Sequence, residues 1–309
     1  MRKEEKWTYA RVYIEINNRC NLSCSFCKES DRPKLTMDRE LFERAIDQSK
    51  GLARTAVFHV LGEPLLHPEL PCFIDYTHSA GMQVMISTNG TLLCSNAAET
   101  LLGDRVQTLN ISLHAYTAVT NRTSYLEAVF EFVQRSLNAG QANRINLRLW
   151  NALSPECSEI LDKINQHFGT VLVPPLSLSE IKREKAHFIS KINGRLCLHF
   201  DTCFEWPDPE ASVLSHRGFC YGLGSHFGIL VDGTVIPCCL DAGGIIALGN
   251  IKEYPLCEIL RCERAIRMRE GFDAGIFTED LCTRCGFAAR FVRKTRFSSR
   301  TERLKVSPH

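Results

Sequence analysis

Three cysteines, Cys20, Cys24 and Cys27, stand at C-x3-C-x2-C spacing directly after an apolar segment, residues 12–16. Thiols this close together on one loop can all turn toward one inorganic centre. A [4Fe–4S] cluster is held by cysteine thiolates, so three ligands would leave one of its irons free for another molecule. Short cysteine spacings also form structural zinc sites, in which a distant fourth ligand completes the tetrahedron. The spacing alone leaves both centres open.

A second group of cysteines lies in the last third of the chain. Its members are Cys220, Cys238, Cys282 and Cys285, spaced as C-x17-C, a gap of 43 residues and C-x2-C. An iron–sulfur cluster and a zinc ion are again the alternatives. Three nearby cysteines could compete as ligands: Cys197, Cys203 and Cys239.

The composition indicates one large folded domain, or a medium domain with an appendage. Of 309 residues, 44% are hydrophobic, and 37 basic and 35 acidic residues leave a formal net charge of +2. This balance argues against a body that binds polyanions generally. The sequence has neither a run of about 18 apolar residues nor a signal peptide, so we expect a cytoplasmic protein without a membrane partner. Its 15 cysteines are then expected to be metal ligands or small buried side chains rather than disulfides.

Residues 11–175 alternate short apolar strands with helical stretches. Six strands are predicted, at 12–16, 55–61, 84–87, 109–113, 145–150 and 171–173. Five helices are predicted between them, at 37–53, 68–80, 92–102, 125–139 and 156–168. This alternation requires a mostly parallel sheet in an α/β fold, and the pattern fits either a partial barrel or an open doubly wound sheet.

Ligands of such sheets bind at the C-terminal ends of the strands, where the βα loops lie. Several polar groups follow strands directly: the first cysteine loop, Gly62-Glu63-Pro64, Thr88-Asn89-Gly90, Ser112 with His114, and Arg148. We therefore expect these loops to converge on one mouth.

The periodicity changes after residue 175. Residues 176–218 are predicted to be a linker with one helix near 178–189, and residues 219–290 a small module. In this module we expect a hairpin of residues 227–231 and 234–238, a strand at 245–251 and a helix at 256–269. Arg290 opens a basic stretch, and residues 291–309 are predicted to be a disordered tail. Contact between this tail and RNA would be salt-sensitive, and nucleic acid is not the expected partner.

The cysteine run, with Phe26 before its last member, and Gly62-Glu63-Pro64 after the second strand together resemble the radical S-adenosylmethionine (SAM) superfamily. The resemblance covers residues 8–175 and implies a partial (β/α)6 barrel. It also implies that Cys20, Cys24 and Cys27 hold a [4Fe–4S] cluster whose open iron binds SAM. An electron from a reductant such as flavodoxin or ferredoxin would then cleave SAM to a 5′-deoxyadenosyl radical.

The same resemblance assigns contacts to SAM by position. Phe26 would lie near the adenine, and the loop of Gly62, Glu63 and Pro64 would meet the SAM ammonium group; Leu61 stands where the family has a further glycine. Four other residues are assigned to the ribose or carboxylate: Ser87, Asn89, Ser112 and Arg148.

The second cysteine group, with Gly233 five residues before Cys238, resembles the SPASM auxiliary domain. A full SPASM domain would continue with cysteines where Phe291 and Thr295 stand. The pattern therefore matches the shortened "twitch" form of 2-deoxy-scyllo-inosamine dehydrogenase-like enzymes, which implies one auxiliary [4Fe–4S] cluster.

The resemblance implies a radical SAM oxidoreductase, with dehydrogenation favoured. The radical would take a hydrogen atom from a substrate carbon, a base would take a proton, and the auxiliary cluster would take the remaining electron. His114, Asp241 and His226 are the candidate bases. A small-molecule substrate is favoured because the chain starts almost at the first strand, without room for a separate peptide-recognition domain. Modification of a peptide side chain and a non-catalytic iron–sulfur protein are the alternatives.

Overall fold

The computed structural model describes residues 8–28, 30–139, 143–175, 177, 188–192 and 194–290. Within these ranges the strands are β1 (Tyr9–Ile14), β2 (Ala53–Phe58), β3 (Gln83–Thr88), β4 (Val106–Ser112), β5 (Arg144–Leu149), β6 (Phe188–Ile192), β7 (Leu196–Phe200), β8 (His226–Ile229), β9 (Thr234–Ile236) and β10 (Gly249–Asn250). The α-helices there are α1 (Arg39–Ser49), α2 (Leu70–Ser79), α3 (Arg122–Asn138), α4 (Pro155–Phe168), α5 (Leu256–Ile259), α6 (Glu263–Ala274) and α7 (Asp280–Thr283).

All the described strands belong to one sheet, in the order β10-β9-β8-β1-β2-β3-β4-β5-β7-β6. From β1 through β5 to β7 every neighbouring pair is parallel. The mostly parallel α/β fold is therefore confirmed, and the six strands from β1 through β5 to β7 correspond to those of the partial barrel. The first five predicted strands match β1 to β5 to within a few residues.

The sixth predicted strand, residues 171–173, is wrong. Val171 and Val173 are 93% and 71% exposed, and the two prolines that follow lack the N–H groups that a ladder needs. The sixth parallel position belongs to β7, which pairs with β5 and buries alternate apolar side chains completely.

The segment 176–218, expected to be a linker, contributes strands to the sheet, because it contains β7 and, antiparallel to it, β6. Residues 178–187 of the predicted linker helix and the whole predicted tail, 291–309, lie outside the described residues. The division into domains stays a prediction.

The helices cover the outer face of the sheet and are built on ordinary local signals. Asp38 caps α1 by accepting a hydrogen bond from the Leu41 amide at 2.8 Å. Phe42 of α1 stacks on Phe73 of α2 with ring centroids 3.7 Å apart. The side chains of β1 alternate between the two faces of the sheet, and Val12 and Ile14 are fully buried on the face that the helices cover.

Two predicted helices differ from the structure. The helix expected at 92–102 is a 3-10 helix, Asn96–Leu102. The helix expected at 256–269 is divided into α5 and α6, because Cys262 has an extended backbone and caps α6. Within the described ranges, every helix is too short or too polar to span a bilayer.

The C-terminal module continues the sheet of the barrel. β8 pairs in parallel with β1, from Arg11 opposite His226 to Ile14 opposite Ile229. β8 and β9 form the predicted antiparallel hairpin, and the expected strand at 245–251 is reduced to β10. The segments that carry the two cysteine groups are therefore attached to one sheet.

Candidate active site

The first cysteine loop follows β1 and is held by two buried asparagines, Asn17 and Asn18. The Asn18 side chain donates to the Pro33 carbonyl and accepts from the Leu35 amide, both at 2.8 Å. Within the loop the Cys27 amide donates to the Cys24 carbonyl at 3.0 Å. Burial and the nearby thiols of Cys27 and Cys20 raise the pKa of Cys24 to about 11. The three thiols therefore lie close together, and the Cys20 and Cys27 residues are solvent-exposed, as an accessible cluster requires.

The loop after β2 packs directly on the cysteine loop at Gly62. This residue has φ +80°, and a β-carbon there would lie 2.5 Å from the Asn17 carbonyl oxygen and 2.9 Å from the Arg19 carbonyl oxygen. The Glu63 amide donates to the Arg19 carbonyl at 2.8 Å, and the Asn17 side chain donates to the Glu63 carbonyl at 3.0 Å. Only glycine allows this close approach without strain.

The carboxylate of Glu63 is buried and engaged by protein donors. Oε1 accepts from the Thr88 hydroxyl at 2.7 Å and the Leu65 amide at 3.1 Å, and Oε2 accepts from the Asn89 amide at 2.7 Å. Burial raises its pKa to about 6, although these hydrogen bonds oppose the shift. In this structure Glu63 ties the end of β3 to the β2 loop, and its contact with the SAM ammonium stays a prediction.

Asn89 connects the end of β3 to the cysteine loop. Its Nδ2 donates to the Asn21 side chain at 2.9 Å and lies 3.6 Å from the Cys20 sulfur. The Tyr125 hydroxyl donates to the Asn89 carbonyl at 2.9 Å. Of the four residues assigned to the SAM ribose or carboxylate, Asn89 is the one whose side chain contacts a cysteine of the first loop in the described part of the chain.

Ser87 and Ser112 line the interior of the sheet. The Ser87 hydroxyl accepts from the Asn110 side chain at 3.2 Å, and Asn110 accepts from Asn146 at 2.9 Å, so an amide ladder crosses β3, β4 and β5. Ser112 lies opposite Arg148 in the β4–β5 register. Both serines are inside the predicted mouth, and their contacts with SAM stay predictions.

His114 lies between the cysteine loop and β5. The centroid of its ring is 4.8 Å from that of Phe26, and the ring stacks on Trp150 with centroids 5.4 Å apart. Nδ1 is 3.2 Å from the Arg148 carbonyl oxygen, and burial lowers the pKa to about 4. Since a carbonyl only accepts, Nδ1 carries the proton of the neutral ring and Nε2 is the nitrogen that can accept one.

The other two candidate bases occupy different positions. The Asp241 carboxylate is buried and caps a turn, with Oδ1 accepting from the Ile245 amide at 2.9 Å and Oδ2 from the Ile246 amide at 2.8 Å. His226 begins β8, and its ring lies 5.5 Å from that of Tyr13. Burial lowers the pKa of His226 to about 4. Of the three candidates, His114 is the one whose ring packs against the cysteine loop.

Several interior residues were not anticipated. Tyr13 is half-buried on the face of β1 that it shares with the exposed Arg11. Its hydroxyl interacts with the thiol of Cys239, which the sequence suggested only as a competing ligand, and His59 follows β2. Successive side chains of a strand point to opposite faces, so the alternation of Arg11 and Tyr13 with the apolar Val12 could have indicated which residues of β1 lie on the face opposite the helices.

The four C-terminal cysteines converge. The Cys220 sulfur and the Cys238 β-carbon would each lie 3.6 Å from a β-carbon placed at Gly222. The pKa of Cys238 is raised mainly by burial and secondly by the neighbouring thiol of Cys220. The pKa of Cys282 is likewise raised mainly by burial and secondly by the thiols of Cys220 and Cys285. Thiolates this close together repel one another unless a positively charged centre lies between them. Because metal ligation requires thiolates, the arrangement fits such a centre.

The described ranges contain no three His, Cys, Asp or Glu side chains arranged to hold a single metal ion. That observation concerns one-ion sites such as zinc, whereas the thiolates of a [4Fe–4S] cluster bind different irons.

A buried ion pair connects the cysteine loop to the C-terminal module. Arg32 binds both carboxylate oxygens of Glu15, at 2.8 and 2.6 Å, and donates from Nε to the Ala242 carbonyl at 2.8 Å. The Glu15 carboxylate also accepts from the Val231 amide at 3.1 Å. Trp206, in the segment between β7 and β8, also contacts the cysteine loop by donating to the Phe26 carbonyl at 2.9 Å.

Two family models match the chain. The model of the radical SAM superfamily matches residues 14–150, and that of the SPASM iron–sulfur cluster-binding domain matches residues 220–286.

An S-adenosyl-L-methionine-dependent 2-deoxy-scyllo-inosamine dehydrogenase from Niallia circulans is 31% identical over 114 residues, or 35% of this chain and 46% of the relative. An AdoMet-dependent heme synthase from Methanosarcina barkeri is 30% identical over 110 residues, or 35% of this chain and 32% of the relative. The matches thus span less than half of either relative's length.

Two solved structures have similar folds. BtrN in complex with AdoMet and 2-DOIA has a TM-score of 0.51 at 16% identity, covering 90% of this chain and 92% of that one. Streptococcus suis SuiB bound to S-adenosylmethionine has a TM-score of 0.61 at 15% identity, covering 84% of this chain and 68% of that one. At these identities the likeness is one of fold.

Proposed function

We propose that this chain, which the radical SAM and SPASM family models match over residues 14–150 and 220–286, is a radical SAM enzyme that oxidises a small molecule and passes one electron to a single auxiliary [4Fe–4S] cluster. The observation that carries the proposal is the continuity of the sheet from β1 to β8. It brings the module with the second thiol group against the barrel that carries the first.

In this proposal Cys20, Cys24 and Cys27 hold one [4Fe–4S] cluster, and the auxiliary cluster has four ligands: Cys220, Cys238, Cys282 and Cys285. When bound, the first cluster with SAM supplies a hydrogen-abstracting 5′-deoxyadenosyl radical, and the auxiliary cluster supplies an electron acceptor.

The chain's own residues position these groups and handle the proton. Asn89 and Gly62 hold the βα loops against the cysteine loop, and Trp206 covers the Phe26 segment. His114 takes the substrate proton at Nε2, because its ring is neutral at physiological pH and Nδ1 is directed to the Arg148 carbonyl.

The first test is 5′-deoxyadenosine formation by the anaerobically reconstituted protein with SAM and dithionite. Wild type and Cys72→Ala, which alters an exposed cysteine of α2, should form the product, and Cys24→Ala should not. Equal product from Cys24→Ala, or none from wild type, would reject the proposal.

The second test separates the two clusters. We expect about eight irons per wild-type chain and about four in Cys238→Ala. That variant should still form 5′-deoxyadenosine but should not release an oxidised product. The substrate would be sought by comparing the metabolites of anaerobic cells with and without the gene, as a compound whose product has lost two hydrogen atoms. A wild-type protein with about four irons and one zinc would contradict the electron-acceptor role.

A further inference from the structure

A short segment of the C-terminal part of the chain lies against the second cysteine group. The amides of Leu214 and Ser215 both donate to the Thr283 carbonyl, at 2.9 and 3.0 Å. Thr283 follows Cys282 inside the C-x2-C pair, and both cysteines of that pair are half-buried. The segment therefore contacts the chain between two of the four predicted ligands, at a point where these ligands approach the protein surface.

The same segment is fixed by further main-chain contacts. The Phe277 amide donates to the His216 carbonyl at 3.0 Å. Arg217 pairs with Ile276 in an isolated antiparallel bridge. Because these contacts use backbone atoms, they hold the segment in place whichever side chains it carries.

The side chains at this position include an exposed apolar group. Val213, Leu214 and Ile276 are 40%, 55% and 46% exposed. Together with Arg217, which is also exposed, we call them the Leu214 surface. A group of exposed apolar side chains with a polar rim is typical of a surface that binds another protein.

The charge of the Leu214 surface is positive. Residues 211–219 include Arg217 and no aspartate or glutamate. Among the described residues Arg217 forms no ion pair, and the carboxylates at the start of α7, Glu279 and Asp280, are each bound by another arginine. A free cation beside exposed apolar side chains favours a partner with an acidic face.

The position of the Leu214 surface favours an electron carrier as that partner. In the proposed function each oxidation leaves one electron on the auxiliary cluster, and this electron has to leave before the next turnover. A protein that accepts it must approach the cluster, and the Leu214 surface is bonded to the residue that follows Cys282. Weak electron-transfer contacts are also small, which fits a surface of three apolar side chains and one arginine.

We propose that the Leu214 surface is the docking site of an acidic one-electron carrier protein that takes the electron from the auxiliary cluster. In this transfer the cluster is oxidised by one electron and the carrier is reduced by one, and no bond forms or breaks. The inference rests on the proposed function and adds the partner that returns the enzyme to its starting state.

The test is electron transfer from the full-length, reconstituted protein in which Cys20, Cys24 and Cys27 are replaced by alanine, so that the second cysteine group holds the remaining iron. After reduction by dithionite and removal of the reductant, stopped-flow absorbance would follow reoxidation by oxidised flavodoxin, an acidic carrier. The rate constant should fall as salt is added. Leu214→Glu with Arg217→Glu should lower it about tenfold or more, because the contact loses its apolar centre and its charge is reversed.

Three controls separate docking from damage to the cluster. Val171→Glu with Arg144→Glu changes an exposed apolar and an exposed basic residue of the barrel, and this protein should react within about twofold of the unaltered surface. Benzoquinone, a small neutral oxidant, should reoxidise all three proteins equally. Cytochrome c, a basic carrier, should react faster with the Leu214→Glu/Arg217→Glu protein, because reversing the charge turns repulsion into attraction.

Equal rates with flavodoxin before and after the Leu214→Glu/Arg217→Glu change would overturn the inference. A slower reaction that benzoquinone shares would overturn it as well, because the effect would then belong to the cluster and not to docking. The transfer is measured without SAM, whereas formation of 5′-deoxyadenosine by wild type tests the proposed function, so the two can fail separately.

Discussion

Replacing Gly62 by alanine should separate the two loops that build the predicted SAM site. The new β-carbon would lie 2.5 Å from the Asn17 carbonyl oxygen, 2.8 Å from Asn17 Oδ1 and 2.9 Å from the Arg19 carbonyl oxygen, and the residue would keep φ +80°. The left-handed conformation costs a non-glycine residue about 1–2 kcal/mol. Displacing backbone atoms costs about 1–3 kcal/mol more. We therefore expect Gly62→Ala to lower the free energy of unfolding by about 2–5 kcal/mol.

The matched control is Gly81→Ala. Gly81 has φ +79°, but a β-carbon there would have no atom within 4 Å. This variant should show only the conformational cost, about 1–2 kcal/mol. Urea unfolding of the cluster-free proteins would give the stabilities, because bound clusters break two-state behaviour. SAM affinity of the reconstituted proteins would give the functional effect.

The two variants should differ in SAM binding even more clearly than in stability. In Gly62→Ala the Glu63 loop must move away from the cysteine loop, so we expect SAM affinity to fall about tenfold or more. Gly81→Ala should bind SAM normally. Equal destabilisation by the two substitutions, together with unchanged SAM affinity in Gly62→Ala, would refute the docking of these loops.

Three other predictions concern buried charges. Arg32→Met should destabilise the protein by about 3–5 kcal/mol in urea, because the Glu15 charge is left buried without its partner, whereas Arg105→Met on the surface should cost less than about 1 kcal/mol. The pKa of Glu63 is raised from 4.5 to about 6, so the folded state binds more protons than the unfolded state between these values. Its contribution to the unfolding free energy should therefore fall by about 2 kcal/mol as the pH rises from about 4 to 7, and Glu63→Gln should flatten that part of the curve. Arg290→Gln should lower the free energy of unfolding by about 2–4 kcal/mol, measured by thermal unfolding, because it removes hydrogen bonds to Asp201 and the Thr202 carbonyl. An unchanged stability would show that these bonds do not hold Arg290 to the folded domain.

Much of the fold follows from short-range patterns. β1 to β5 were predictable because their apolar residues are short runs bounded by turn residues, and the βα loops because parallel strands place them at one edge. The cysteine spacings are also a short-range pattern. They predict metal binding because closely spaced thiols on one loop can bind one centre together.

The remaining features depend on distant partners. β7 replaces residues 171–173 because pairing with β5 decides which apolar run enters the sheet. Arg290 belonged to a basic stretch by composition, yet it binds Asp201 and the Thr202 carbonyl at 2.8 and 2.7 Å. The hydrogen bond from Thr88 to Glu63 could not be predicted, because it joins the end of β3 to the loop after β2, 25 residues away in sequence.

The pairing of β1 with β8 has a consequence for biosynthesis. The Glu15 carboxylate and the Val231 amide, which bond across this junction, are 216 positions apart in sequence. Strand β1 leaves the ribosome early, but its outer edge stays open until the C-terminal hairpin has been made. Contacts this distant in sequence form slowly. A nascent chain stalled before β8 would therefore expose that edge of the sheet to aggregation.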